Sequence, residues 1–80
     1  MPVDYVKIDG SFVQNIDRDH LNRVMVRSMH EVAHAMGKLT VAEFVETAAA
    51  MQVLQEIGVN FQQGYYLGKP ELNNLPSSTI

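Results

Sequence analysis

The sequence predicts an α/β fold in which three short parallel strands alternate with two helices, β-α-β-α-β. Three observations carry this reading. Two stretches with three- and four-residue apolar periodicity separate three short runs rich in Val, Ile, Tyr and Phe. Each helical stretch has Asp or Thr ahead of it and Gly behind it. The strands are also too far apart in the chain for hairpins, so each connection is a right-handed crossover that delivers the next strand in parallel.

Taken in order, residues 3–8, VDYVKI, read as a strand that ends in a loop at Asp9-Gly10. From Asp19 the period changes. Leu21, Val24, Met25, Ser28, Met29, Val32 and Met36 form one stripe, the expected buried face of a helix that Asp17 or Asp19 caps and Gly37 ends. Residues 39–42 read as the second strand. Thr47 caps a second helix, with Ala50, Met51, Leu54 and Ile57 on one face and Gly58 as its stop. Residues 59–62 read as the third strand, before a Gly-containing turn. The end, NNLPSSTI, is polar and irregular, so residues 73–80 read as a tail or linker after a domain portion at 1–72. Parallel sheets need cover on both faces. Two helices leave two open edges and one bare face, so the chain is expected to be a piece of something larger.

Composition excludes several classes. Eighty residues allow one small domain. The absence of cysteine removes disulfides and thiolate zinc sites. A net charge of -3 with only six scattered Lys and Arg argues against a nucleic-acid polymer as partner. No apolar run reaches the roughly 18 residues of a membrane span, and the first ten residues do not resemble a signal peptide. A cytoplasmic location without membrane insertion is expected, although other domains of a parent protein could tether it.

Residues 30–37, HEVAHAMG, match the zinc-protease pattern H-E-x-x-H. At ~100° per residue His30 and His34 lie opposite the apolar stripe, together with Arg23 and Arg27. The third ligand of the longer pattern would stand at Thr40, and the arginines would oppose a dication. The pair therefore reads as a solvated helix face, and a zinc protease is the remote alternative.

Three other stretches are more specific: VDYVKIDGSFV at 3–13, VAEFVET at 41–47 and FQQGYYLGKP at 61–70. Together they resemble the C-terminal part of the EAL domain, the bacterial phosphodiesterase of cyclic di-GMP. Lys7 precedes Glu43 by 36 residues and Glu43 precedes Gln63 by 20, spacings similar to the family's own. The resemblance implies a (β/α)8 TIM-like barrel, of which these segments are the last three strands, with chemistry at the strands' C-terminal ends. It makes Lys7, Glu43 and Gln63 the candidate catalytic residues.

On pattern alone, Lys7 could equally be an edge lysine facing water. The resemblance gives it a role in stabilising charge at a phosphodiester or orienting the attacking water. Glu43 it makes a ligand of one of two Mg²⁺ or Mn²⁺ ions. Gln63 contacts the site through water, Glu46 holds the neighbouring loop, and Asp9 either orients Lys7 or caps the loop. Phe44 stands where the family motif has glycine, which puts a ring beside the metal ligand.

The expected function is thus the C-terminal portion of a metal-dependent hydrolase that converts cyclic di-GMP to linear pGpG. The alternative is a degenerate domain that senses the nucleotide or binds a protein. The family's Glu-Ala-Leu segment and most of its metal ligands lie outside these residues, so the fragment alone is expected to be inactive and to self-associate where the rest of the barrel would sit.

Overall fold

Six elements follow one another in residues 4–64, the part of the chain that the structure, a computed structural model, describes. They are β1 Tyr5–Ile8, α1 Gly10–Val13, α2 His20–Ala35, β2 Leu39–Ala42, α3 Ala48–Ile57 and β3 Phe61–Gln62. The strands form one parallel sheet in the order β1-β2-β3, as the crossover argument requires. Residues 65–70 of the third motif and the expected tail at 73–80 lie outside the described residues.

Local chemistry accounts for the helix ends. The Asp19 carboxylate accepts from the Asn22 amide at 3.1 Å, and the Thr47 hydroxyl accepts from the Ala50 amide at 3.0 Å. Gly58 closes α3 at φ 100°, a left-handed cap that costs a residue without a β-carbon little. The single turn α1 was expected to be loop. Asp9 caps it by accepting from the amide and hydroxyl of Ser11, a short-range signal hidden in the D-G-S sequence.

The core lies between the sheet and the helices. Ile8, Val13, Ile16, Val26, Ala42, Val45, Ala50, Leu54 and Val59 form it, with Met29, Met51 and Ile57 packed at its border. Strand alternation directs Ile8, Thr40, Ala42 and Gln62 toward the helices, and Tyr5, Lys7, Val41 and Phe61 toward the other face. That second face is less bare than expected. The Tyr5 and Phe61 rings meet across β2 with centroids 5.8 Å apart, and Val41 in the row between them is buried.

Helix α2 corrects the expected stripe. Its buried residues are Val26 and Ala33, flanked by half-buried Met29 and His30. Leu21, Val24, Met25, Val32 and Met36 are exposed. The buried arc is therefore rotated by roughly a third of a turn from the most apolar one, the two overlapping at Met29. Hydrophobicity alone misplaced the helix because polar contacts orient it. Arg23 donates to the Ile16 and Asp17 carbonyls at 3.4 and 3.1 Å, and Asn22 donates to the Gln14 carbonyl at 3.1 Å.

His30 is correspondingly not on a solvated face. Its Nδ1 lies 2.8 Å from the hydroxyl of buried Thr40. Asn60 closes the group, with its Oδ1 accepting from the Thr40 amide at 3.0 Å and its amide donating to the Thr40 hydroxyl at 3.3 Å. This network ties α2, the start of β2 and the turn before β3 together at the end of the sheet away from Lys7 and Glu43.

Two outcomes follow. Leu54→Ala is expected to cost about 2–5 kcal/mol in urea unfolding, whereas Leu21→Ala, 66% exposed, changes stability by less than about 0.5 kcal/mol; the reverse ranking would restore the expected stripe. The His30 imidazole is held below the usual histidine range, first by desolvation and then by His34, against a smaller opposing pull from Glu31. Because the folded state resists this protonation, its stabilising effect is complete above the unfolded value near 6.5 and is lost as pH falls through the lower folded value. The urea midpoint is expected to fall as pH drops below about 6.5, and less steeply in His30→Gln. Equal slopes in the two chains would mean that another group is responsible.

Candidate functional site

Lys7, Glu43 and Gln63 stand at the C-terminal ends of β1, β2 and β3. In the sheet register Lys7 lies beside Val41 and Val41 beside Phe61. Two residues beyond Val41 and Phe61, Glu43 and Gln63 continue the same face by alternation. Hydrogen bonds extend past the regular strands: the Glu43 amide donates to the Ile8 carbonyl at 3.2 Å, and the Gln63 amide donates to the Ala42 carbonyl at 2.9 Å. These bonds fix where both side chains begin.

The Lys7 ammonium lies 3.7 Å from a Glu43 carboxylate oxygen, with the two side chains 42% and 26% exposed. At that exposure the pair contributes about 0–1 kcal/mol. It is weak enough to open when a stronger partner arrives. What the geometry offers is one cation and one anion side by side, at the end of a parallel sheet where ligands meet backbone and side-chain groups from several strands.

Glu43 is suited to a hard divalent ion as an oxygen ligand. Among the described residues there is no group of three or more His, Cys, Asp or Glu able to hold a metal. These residues thus supply one ligand and do not by themselves fit a metal pair. Of the motif histidines, His30 engages the Thr40 hydroxyl through Nδ1, whereas His34 is exposed, and their ring centroids are 6.0 Å apart.

Asp9 is engaged with Ser11. The Ser11 hydroxyl, then its amide, hold the Asp9 carboxyl below the usual range. Among the described residues the ion-pair partner of Lys7 is Glu43. Glu46 is exposed one residue ahead of the α3 cap, on a cleft of about 310 Å³ that Phe44, Asn15, Arg18 and Thr47 also line.

Backbone features around the site were not singled out in the sequence. Phe44 has φ 61°, a left-handed conformation that costs a residue with a β-carbon about 1–2 kcal/mol. The Val45 amide then donates to the Gln63 carbonyl at 2.9 Å. Gly64 sits so close to Val45 that a β-carbon there would overlap its backbone. The Q-G dipeptide was the available signal, since a glycine next to a strand often marks close backbone approach.

The EAL domain model matches residues 1–70. The cyclic di-GMP phosphodiesterase PdeB of Shewanella oneidensis is 48% identical over 71 residues, which is 89% of this chain and 8% of that protein. The probable cyclic di-GMP phosphodiesterase PdeA of Escherichia coli is 41% identical over 71 residues, 89% of this chain and 10% of that protein. The chain thus spans about a tenth of these relatives or less. Among solved structures, the FimX EAL domain of Pseudomonas aeruginosa bound to c-di-GMP superposes with TM-score 0.77 at 36% identity, over 88% of this chain and 28% of that one. The cAMP-bound EAL enzyme Bd1971 superposes with TM-score 0.79 at 40% identity, over 88% and 19%. With the match covering most of its length, and with its three strands in the barrel-type parallel arrangement, the chain belongs to the EAL domain family.

Proposed function

We propose that these residues form the C-terminal part of a cyclic di-GMP phosphodiesterase, in which a complete barrel hydrolyses one phosphodiester bond to give linear pGpG. The observation that carries this reading is the Lys7–Glu43 pair at the ends of two adjacent parallel strands, with Gln63 ending the third. A phosphodiester competes with Glu43 for Lys7. The weak ion pair opens, and the ammonium turns to the phosphate oxygens where negative charge grows during displacement. Gln63, with its backbone held on both sides, orients a water through its side-chain amide. Glu43 would provide one oxygen ligand for Mg²⁺ or Mn²⁺, with the remaining ligands contributed by the rest of the barrel, and the bound ion would supply activation of water and neutralisation of developing charge.

The exposed arc of α2 continues toward β1, which is an edge strand among the described residues. An apolar groove of about 420 Å³ joins them, lined by Val6, Met29, Val32 and Met36. The remaining strands and helices of the barrel cover this side, consistent with the small share of its relatives that the chain spans. In the isolated chain a second copy takes their place. No helix among the described residues is long and apolar enough to cross a membrane, and a cytoplasmic site of action fits an intracellular nucleotide substrate.

The test is a chimera of Shewanella PdeB carrying residues 1–71 of this chain in place of the matching segment. It is expected to hydrolyse cyclic di-GMP with Mg²⁺ or Mn²⁺, and Lys7→Ala or Glu43→Ala to lower turnover by about 10²-fold or more without loss of fold by circular dichroism. Near-normal turnover in either variant contradicts the assigned roles. Binding of cyclic di-GMP without turnover in the unmutated chimera would favour a sensor instead. The 80-residue chain alone is expected to show no turnover and to grow in mass with concentration by light scattering; a monomer at high micromolar concentration refutes its self-association.

A further inference from the structure

We infer that Phe44 is a positioning residue for the candidate site, holding the end of β2 so that Glu43 meets Lys7 while Val45 meets Gln63. The inference deepens the cyclic di-GMP reading and rests on it for its catalytic consequence.

Phe44 stands alone between two backbone bonds that run in opposite directions. On one side the Glu43 amide reaches the Ile8 carbonyl at the end of β1, and on the other the Val45 amide reaches the Gln63 carbonyl beyond β3. A chain continuing as a regular strand would not divide its bonds in this way within three residues. The division requires a reversal at Phe44, and φ 61° supplies it. A non-glycine residue keeps such a conformation only where its surroundings over-determine it.

The surroundings here are specific. The Phe44 ring lies against Gly10, so closely that a β-carbon on Gly10 would overlap the ring edge at Cδ2. Gly10 directly follows Asp9, whose carboxylate Ser11 holds. The ring therefore clamps the loop after β2 onto the loop after β1, although 54% of the residue remains exposed. Across the loop, Val45 is fully buried and its backbone abuts Gly64. With both flanks fixed, Glu43 retains only its side-chain torsions, and its carboxylate stays within reach of Lys7.

Glycine at position 44 would adopt the same φ without penalty and would also permit many others. Phe44→Gly therefore removes the clamp without forbidding the native backbone, and Phe44→Tyr keeps the ring. In the full 80-residue chain, amide hydrogen exchange followed by NMR is expected to accelerate about tenfold at Glu43 and Val45 in Phe44→Gly, with Leu54 unchanged and Phe44→Tyr like the original. Unchanged exchange at Glu43 and Val45, or equal acceleration at Leu54, overturns the inference. Although the family motif has glycine at this position, the ring here fills the space left at Gly10, so in the PdeB chimera Phe44→Gly is expected to lower kcat about tenfold with KM within about twofold, and Phe44→Tyr to restore it. An unaltered kcat, or a change confined to KM, overturns the catalytic consequence. A chimera already inactive with Phe44 in place contradicts the cyclic di-GMP reading instead, and the exchange experiment then decides the role of Phe44.

Discussion

The middle strand β2 is hydrogen-bonded along both edges, and that constraint organises everything around it. Its pairing with β1 and β3 sets the register that brings Lys7, Val41 and Phe61 into one row. Its outer row, continued beyond the strand, places Glu43 and Gln63 at one end of the sheet. Its inner row buries Thr40 and Ala42 under the helices. The two ends of β2 are then used differently. At the start, Thr40 gathers His30 and Asn60 into a polar group that fixes α2 against the sheet. At the finish, the backbone parts between its neighbours. In parallel barrel strands chemistry gathers at the C-terminal ends and stability at the other, and the proposed site follows that division.

At the C-terminal end of the sheet the charges are exposed. A Lys–Glu pair this exposed stabilises the fold little, so its placement is better explained by what each charge could do for a ligand than by what they do for each other. Packing leaves a second open surface. Among the described residues, the most apolar arc of α2 faces outward beside an unpaired strand edge, a surface suited to contact with more protein. Both features agree with the fraction of its relatives that the chain covers.

Much of this was legible in the sequence because the informative signals were local. Asp19, Thr47 and Gly58 mark helix ends through their own hydrogen bonds and dihedral angles. Val and Ile runs mark strands, and three motifs at family spacing mark the family. What was not legible depended on tertiary contacts. The rotation of α2 is set by Arg23 and Asn22 reaching loop carbonyls and by His30 reaching Thr40, none of which a hydrophobic period records. His30 thus looked like half of a zinc motif when it is part of the packing. The short turn α1 was missed because four residues carry no period. The left-handed conformation of Phe44 was not read from the sequence, because propensity assigns such angles to Gly or Asn and not to an aromatic residue, although the motif glycine it replaces was a signal for it.

On the proposed reading, Lys7 and Glu43 face the phosphodiester from the ends of adjacent strands in a completed barrel. A crystal structure of the PdeB chimera with cyclic di-GMP tests this placement. The Lys7 ammonium is expected within about 4 Å of a phosphate oxygen, with the Glu43 carboxylate beside the same phosphate. A bound nucleotide whose phosphates lie away from both side chains, or at the opposite end of the strands near Thr40, would contradict it.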